Sequence, residues 1–304
     1  MCDRVACSTV GMVRYPIAEK VVLVTGATGG IGMAIARALR VRGAKVVVTG
    51  RRQDVLQALA VELGSNHSLA RVVDVTDRES LDAAVRAAVE RFGGLDVVIA
   101  NAGLAIDPPT TIAAVDEREF ERVIEVDLLG AWRTARAALP QIITRLGHIV
   151  LTSSIYAYCN GVVNGAYAVS KAGVEQLGRA LRAELAPHGA TAGVLYPGWT
   201  DTPLIKPAFG GSRAATEMLR HSYPRPLRTP ISPERVAAAA VRGIERRSPR
   251  IIVPARWIPI SLLRGIVNAV TDPIIERDPM LRQLILELEE TAGRPARSHE
   301  RHAA

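Results

Sequence analysis

The run Val21-Val-Leu-Val24, Thr25-Gly-Ala-Thr-Gly-Gly-Ile-Gly32 and the apolar-periodic Met33 to Arg42 constrains the fold more than any other part of the chain. The first segment reads as a strand, the glycines as a tight turn, and the third segment as a helix. A helix that begins this way presents free backbone N–H groups and the positive end of its dipole, a ready site for a pyrophosphate. Further β-branched runs at about 45–49, 70–73, 95–100, 147–152, 190–195 and 250–253 alternate with helical stretches. The pattern predicts an α/β fold, a doubly wound parallel sheet of about seven strands with helices on both faces. Thr25, Asn101, Ser154 and Pro197 each follow a strand end, so function is expected in one crevice at the carboxyl edge.

Tyr167-Ala-Val-Ser-Lys171 carries the chemistry. Residues four apart share a helix face, so phenol and ammonium project together. The positive charge is expected to lower the phenol from its usual value near 10 toward a range useful for proton exchange. Arginine is abundant, and Lys20, Lys45, Lys171 and Lys206 are the only lysines, so a compact ammonium at 171 stands out.

The second strand ends in Gly50-Arg51-Arg52. In a Rossmann βαβ unit this is the ribose end of a dinucleotide, where an acidic residue would select NAD. Arg51 and Arg52 suit the extra 2′-phosphate of NADP instead.

Thr25-Gly-x-x-x-Gly-x-Gly32, Asp74-Val75, Asn101-Ala-Gly103, Ser154, Tyr167-x-x-x-Lys171 and Pro197-Gly198 together resemble the short-chain dehydrogenase/reductase family, over roughly residues 19–255. The resemblance implies roles. Gly26, Thr28, Gly30, Ile31 and Gly32 would form the pyrophosphate turn, and Asp74 and Val75 would meet the adenine. Asn101 and Gly103 would close the cofactor side of the central strand, with Pro197, Gly198 and Thr202 along the nicotinamide. Tyr167 would be general acid/base, Lys171 would tune it and hold the ribose, and Ser154 would bind the substrate oxygen. A homodimer or homotetramer is implied as well. Where the family has a catalytic asparagine this chain has Asp127, in Glu125-Val-Asp-Leu-Leu-Gly130. An ionised aspartate accepts hydrogen bonds and donates none. The asparagine helps hold a water behind the lysine, partly through its backbone carbonyl, so Asp127 is expected to keep the relay and to favour protonated Lys171. A smaller departure is Ala100 in place of the first asparagine of Asn-Asn-Ala-Gly.

The rest of the chain bounds these expectations. Residues 1–18 read as an N-terminal arm without a signal peptide, 19–255 as one catalytic domain, and 256–304 as a helical extension and tail. The variable lid at 203–230 carries Leu204, Ile205, Phe209, Met218 and Leu219, which either line a hydrophobic substrate site or anchor the lid. Cys2, Cys7 and Cys159 lack metal or disulfide spacing, Cys159 reads as a loop residue, with a place on the substrate side as the alternative because it follows Ser154 closely, no metal site is expected, and a reducing cytoplasm fits. The net charge of +8 is spread without a basic-aromatic module, so nucleic acid is not expected. Trp257, Ile258, Leu262, Ile266 and Val270 form a helical stripe expected to pack on the domain or a second subunit, with peripheral membrane contact through 256–272 as the alternative. The reading is an NADP(H)-dependent oxidoreductase for a lipophilic ketone and its secondary alcohol. A non-catalytic NADP-binding regulatory protein is the alternative.

Overall fold

The computed structural model describes residues 14–291. Seven parallel strands form one sheet in the order β3-β2-β1-β4-β5-β6-β7. They are β1 Val21–Val24, β2 Lys45–Gly50, β3 Ser68–Val72, β4 Val97–Ala100, β5 His148–Thr152, β6 Thr191–Pro197 and β7 Arg250–Val253. The interior strands β1, β4 and β5 are buried along their whole length, as β-branched runs covered on both faces must be. Two edges differ from the sequence expectation. β3 starts earlier, because Ser68 pairs opposite Val46. β6 runs on to Pro197, which pairs opposite Val253 at the end of the sheet.

Helices cover both faces. Those in the first half are α1 Gly30–Val41, α2 Gln53–Leu63, α3 Arg78–Phe92, α4 Glu117–Val123 and α5 Gly130–Thr144. A π-helical turn, Ile124–Leu129, joins α4 to α5. In the second half come α6 Gly165–Leu185, the lid helices α7 Arg213–Ser222 and α8 Arg225–Arg228, and α9 Pro233–Glu245. The expected extension is two helices, α10 Ile258–Arg277 and α11 Pro279–Thr291. α11 packs Leu281, Leu284 and Leu288 against Ala214 and Met218 of the lid, so the extension is joined to the substrate side. The expected arm and tail lie mostly outside the described residues, as do Cys2 and Cys7.

The strand order reverses between β1 and β4, which opens a crevice at their carboxyl ends. The opposite edge is structural. There Asp96 is buried, accepts from Val21 N–H at 3.0 Å and pairs with Lys20 and Arg145.

His148 at the start of β5 is fully buried, with Nδ1 at 2.7 Å from Thr191 Oγ1. Burial, with Arg247 and Arg182 nearby, holds its imidazole down to about 3. An unfolded chain protonates this histidine near 6.5, so the unfolded state binds the extra proton between those values and stability falls as pH falls. Each pH unit in that window costs about 1.4 kcal/mol from this one group. His148→Gln is expected to flatten the acid limb of the stability curve, measured by denaturant unfolding at pH 4 to 7. An unchanged slope would assign the acid sensitivity elsewhere.

Candidate active site

The crevice at the switch point holds a cavity of ≈ 1200 Å³. Gly26, Thr28, Gly30, Ile31, Gly32, Arg51, Arg52, Asp74, Val75, Asn101, Gly103, Ser154, Tyr167, Lys171, Pro197, Gly198 and Thr202 all line it, so positions read from the sequence at strand ends, at turns and on α6 converge on one space. Asp127 does not line it and lies behind Lys171.

At one end the turn after β1 comes close to its neighbours. Gly26 adopts φ +66°, and a Cβ there would sit 2.8 Å from Ala102 Cα. A Cβ on Gly32 would meet the Gly26 carbonyl oxygen at 2.3 Å. Only glycine permits this approach, which opens the backbone at the start of α1 to the cavity, beside the Ile31 side chain. Asn101 fastens the turn, donating from Nδ2 to the Thr25 carbonyl at 3.1 Å, and its own N–H donates to Thr25 Oγ1 at 2.9 Å. Beyond β2, no carboxylate stands at Gly50. Arg51 and Arg52 are exposed, and Arg52 donates to the Thr28 carbonyl at 2.5 Å. A glycine-walled helix start of this kind fits the pyrophosphate of a dinucleotide.

At the other end, α6 carries Tyr167 and Lys171 on one face, with Lys171 Nζ 5.3 Å from the centroid of the Tyr167 ring. Ser154, just past β5, lies beside the Tyr167 phenol and favours its ionised form. Ser153 Oγ donates to the Lys171 carbonyl at 2.7 Å, which holds the helix against β5. Lys171 Nζ donates to the Thr152 carbonyl at 3.3 Å and pairs with Asp127 Oδ2 at 2.9 Å. Both side chains of that pair are out of solvent, 5 % and 0 % exposed. The other carboxylate oxygen of Asp127 accepts from Leu104 N–H at 2.8 Å.

The electrostatics correct one expectation. Burial pushes the Tyr167 phenol up; Lys171 pulls it down, Asp127 pushes it up again, Ser154 pulls it down, and the result lies above the ordinary value. Lys171 acts with the expected sign but is outweighed by desolvation and by its own counter-charge. Burial also works against the Lys171 ammonium, yet Asp127 and Tyr167 raise it above its usual value. Burial pushes the Asp127 carboxyl above its usual value as well, against the pull of Lys171 and of the Leu104 N–H; with Nζ and Oδ2 2.9 Å apart, the pair is carboxylate and ammonium, each held by the other. The carboxylate touches the lysine directly, which sequence reasoning did not foresee; the π-helical turn that carries Asp127 sets it against α6.

The substrate side is aromatic. Tyr156 stands edge-on to Tyr167 and to Trp199, each at 5.7 Å between centroids, and Trp199 continues to Phe209 and Tyr223. Leu204, Ile205, Met218 and Leu219 of the lid line the cavity, while Phe209 packs on Trp199, so the lid's apolar residues divide between lining and anchoring. Cys159 lines the cavity too, its thiol pushed up to about 12 by burial. Tyr156, Trp199 and Tyr223 were missed in the sequence. The first two lie beside recognised motifs, two residues beyond Ser154 and one beyond Gly198, and that adjacency was the available signal. Ile260, Val267 and Ile275 of α10 also line the cavity and had no local signal.

The chain matches the family described as short chain dehydrogenase over residues 20–211. It is 38% identical over 205 residues to the trans-4-hydroxycyclohexanecarboxylate dehydrogenase of Sinomonas cyclohexanicum, covering 64% of this chain and 78% of the relative. Among solved structures it resembles a 3-ketoacyl-(acyl-carrier-protein) reductase from Brucella melitensis complexed with NADH, with TM-score 0.69 and 26% identity over 78% of this chain and 97% of that one. It also resembles an alcohol dehydrogenase from the archaeon Thermococcus sibiricus complexed with 5-hydroxy-NADP, with TM-score 0.64 and 30% identity over 77% and 95% of the two chains.

Proposed function

The chain belongs to the short-chain dehydrogenase family and is a nicotinamide-dependent oxidoreductase acting on CH–OH groups, and within that class we propose that it interconverts a lipophilic ketone and its secondary alcohol with NADP(H). The observation that carries this is the convergence of Ser154, Tyr167 and Lys171 at the junction of the glycine-walled and aromatic halves of one cavity. A bound nicotinamide supplies or accepts the hydride at the reacting carbon. Tyr167 gives its phenolic proton to the carbonyl oxygen during reduction and takes it back during oxidation. Ser154 donates to the same oxygen as negative charge develops on it. Lys171 stays an ammonium because Asp127 pairs with it, and its charge stabilises the phenolate left on Tyr167.

The aromatic wall and the apolar lid support a lipophilic substrate, since such a cavity offers few hydrogen bonds to a sugar-like one. The name of the Sinomonas relative describes a ring-borne secondary alcohol that also carries a carboxylate, compatible with alcohol–ketone chemistry and silent on lipophilicity. Arg51, Arg52 and the missing carboxylate at Gly50 support NADP over NAD. The deciding experiment is a panel of cyclic, long-chain and polar ketones and alcohols, followed by absorbance with each cofactor. Turnover of lipophilic members is expected, with kcat/KM at least about tenfold higher with NADPH than with NADH, a preference that Arg51→Ala with Arg52→Ala reduces. Cofactor binding without turnover of any member would favour a regulatory binding protein. Equal use of NADH would reject the arginine argument alone.

A further inference from the structure

Helix α10 has an outer face of unusual composition. Trp257, expected in the apolar stripe, is fully buried beneath the lid, but Ile258, Leu262, Leu263, Ile266, Val270 and Ile274 are exposed. Leu262 and Ile266 are 66% and 69% exposed. The other exposed positions between Ile258 and Ile274 are Pro259, Gly265 and Ala269, so this face carries no charge over about four turns. Within this stretch the two charges, Arg264 and Asp272, are turned to the protein, and exposed charge returns only at Glu276 and Arg277. Arg264 pairs with the buried Glu175 of α6 at 2.8 Å, and Asp272 accepts from Asn160 Nδ2 at 3.0 Å.

The segment Ala255–Arg277 is long and apolar enough to cross a membrane by length and composition. Its inner face excludes that use, because Ile260, Val267 and Ile275 line the cavity and the two polar ties hold it to the domain. A helix fixed along one side and apolar along the other can lie on a bilayer or against a second copy of the chain, but cannot span. We propose that the outer face of α10 seats the protein on an anionic lipid bilayer, with the substrate cavity opening at that contact.

Charge selects a bilayer over a second copy of the chain. The chain around the start of α10 is basic: Arg256 lies close to Arg235, and α8, which leads into Thr229 where Arg256 donates its hydrogen bond, contributes Arg225 and Arg228. With a net charge of +8 on the whole chain, this end complements anionic headgroups. Ile274 ties the surface to the site, since it lines the cavity and is 59% exposed on the apolar face. A lipophilic molecule dissolved in the bilayer would meet the cavity at that residue. The docking itself does not depend on which reaction the protein performs.

The test is cosedimentation of the full-length protein with vesicles of phosphatidylcholine alone or mixed with phosphatidylglycerol. Binding to the mixed vesicles is expected, weakened by salt and by Arg225→Gln with Arg235→Gln. Leu262→Glu with Ile266→Glu, at positions where a carboxylate stays solvated, is expected to reduce partitioning by roughly tenfold or more while NADPH binding and thermal unfolding stay unchanged. Absence of wild-type binding to the mixed vesicles, or equal binding of the glutamate variant, overturns the proposal. So does a glutamate variant whose mass in solution falls by half, which would assign the face to a second copy.

Discussion

Tyr167→Phe is expected to lower turnover by about 10³-fold or more in both directions, with cofactor affinity changed far less. The substitution isolates the hydroxyl. A phenylalanine ring keeps the edge contact with Tyr156 at 5.7 Å and the place beneath the Lys171 ammonium at 5.3 Å, so the fold of α6 has no reason to shift. Only the proton donor and its contact with Ser154 are lost. The wild-type pH profile supplies a second check. With the phenol held above its ordinary value, the acid form prevails through the neutral range, so reduction should be flat there and fall only in alkali. Oxidation needs the phenolate and should rise as pH rises. Full activity of the phenylalanine variant rejects the mechanism, and an oxidation rate that peaks near neutrality rejects the direction of the shift.

The nucleotide end of the site was readable in the sequence because its determinants are local. Gly26 and Gly32 are spaced by the turn they form, and Arg51 and Arg52 follow directly from a strand whose end the alternation marks. The substrate end was less legible because its walls come from separate places. Trp199, Tyr223 and α10 are brought together only by the course of the lid and the extension, and no periodicity encodes that. The apolar stripe of α10 was visible as a pattern. Which side of it faced the protein depended on Glu175 and Asn160, residues far away in sequence that capture Arg264 and Asp272. Desolvation was invisible for the same reason. The Tyr167 and Lys171 spacing shows the ammonium's pull on the phenol but not the burial that opposes it.

Asp127→Asn is expected to lower turnover near neutrality by about tenfold or more and to destabilise the fold by about 3 kcal/mol. The cause is a count of acceptors. Asp127 offers two carboxylate oxygens, one taken by Leu104 N–H at 2.8 Å and the other by the Lys171 ammonium at 2.9 Å. Asparagine has one acceptor oxygen, so in either orientation its NH₂ group faces a donor in a buried place. The ammonium then loses the partner that offsets its burial, and its pKa falls from a raised value. In the wild type Lys171 remains charged well into alkali. In the variant the charge is lost at lower pH, and with it the stabilisation of the Tyr167 phenolate, so oxidation should decline on its alkaline side at a pH where the wild type is still rising. A purely structural role would lower stability and leave that limb in place, so kcat against pH separates the two. A gain in turnover of tenfold or more, about 1.4 kcal/mol in the barrier, would show instead that the carboxylate hinders proton supply, and that the ion pair is a departure the reaction tolerates and does not use.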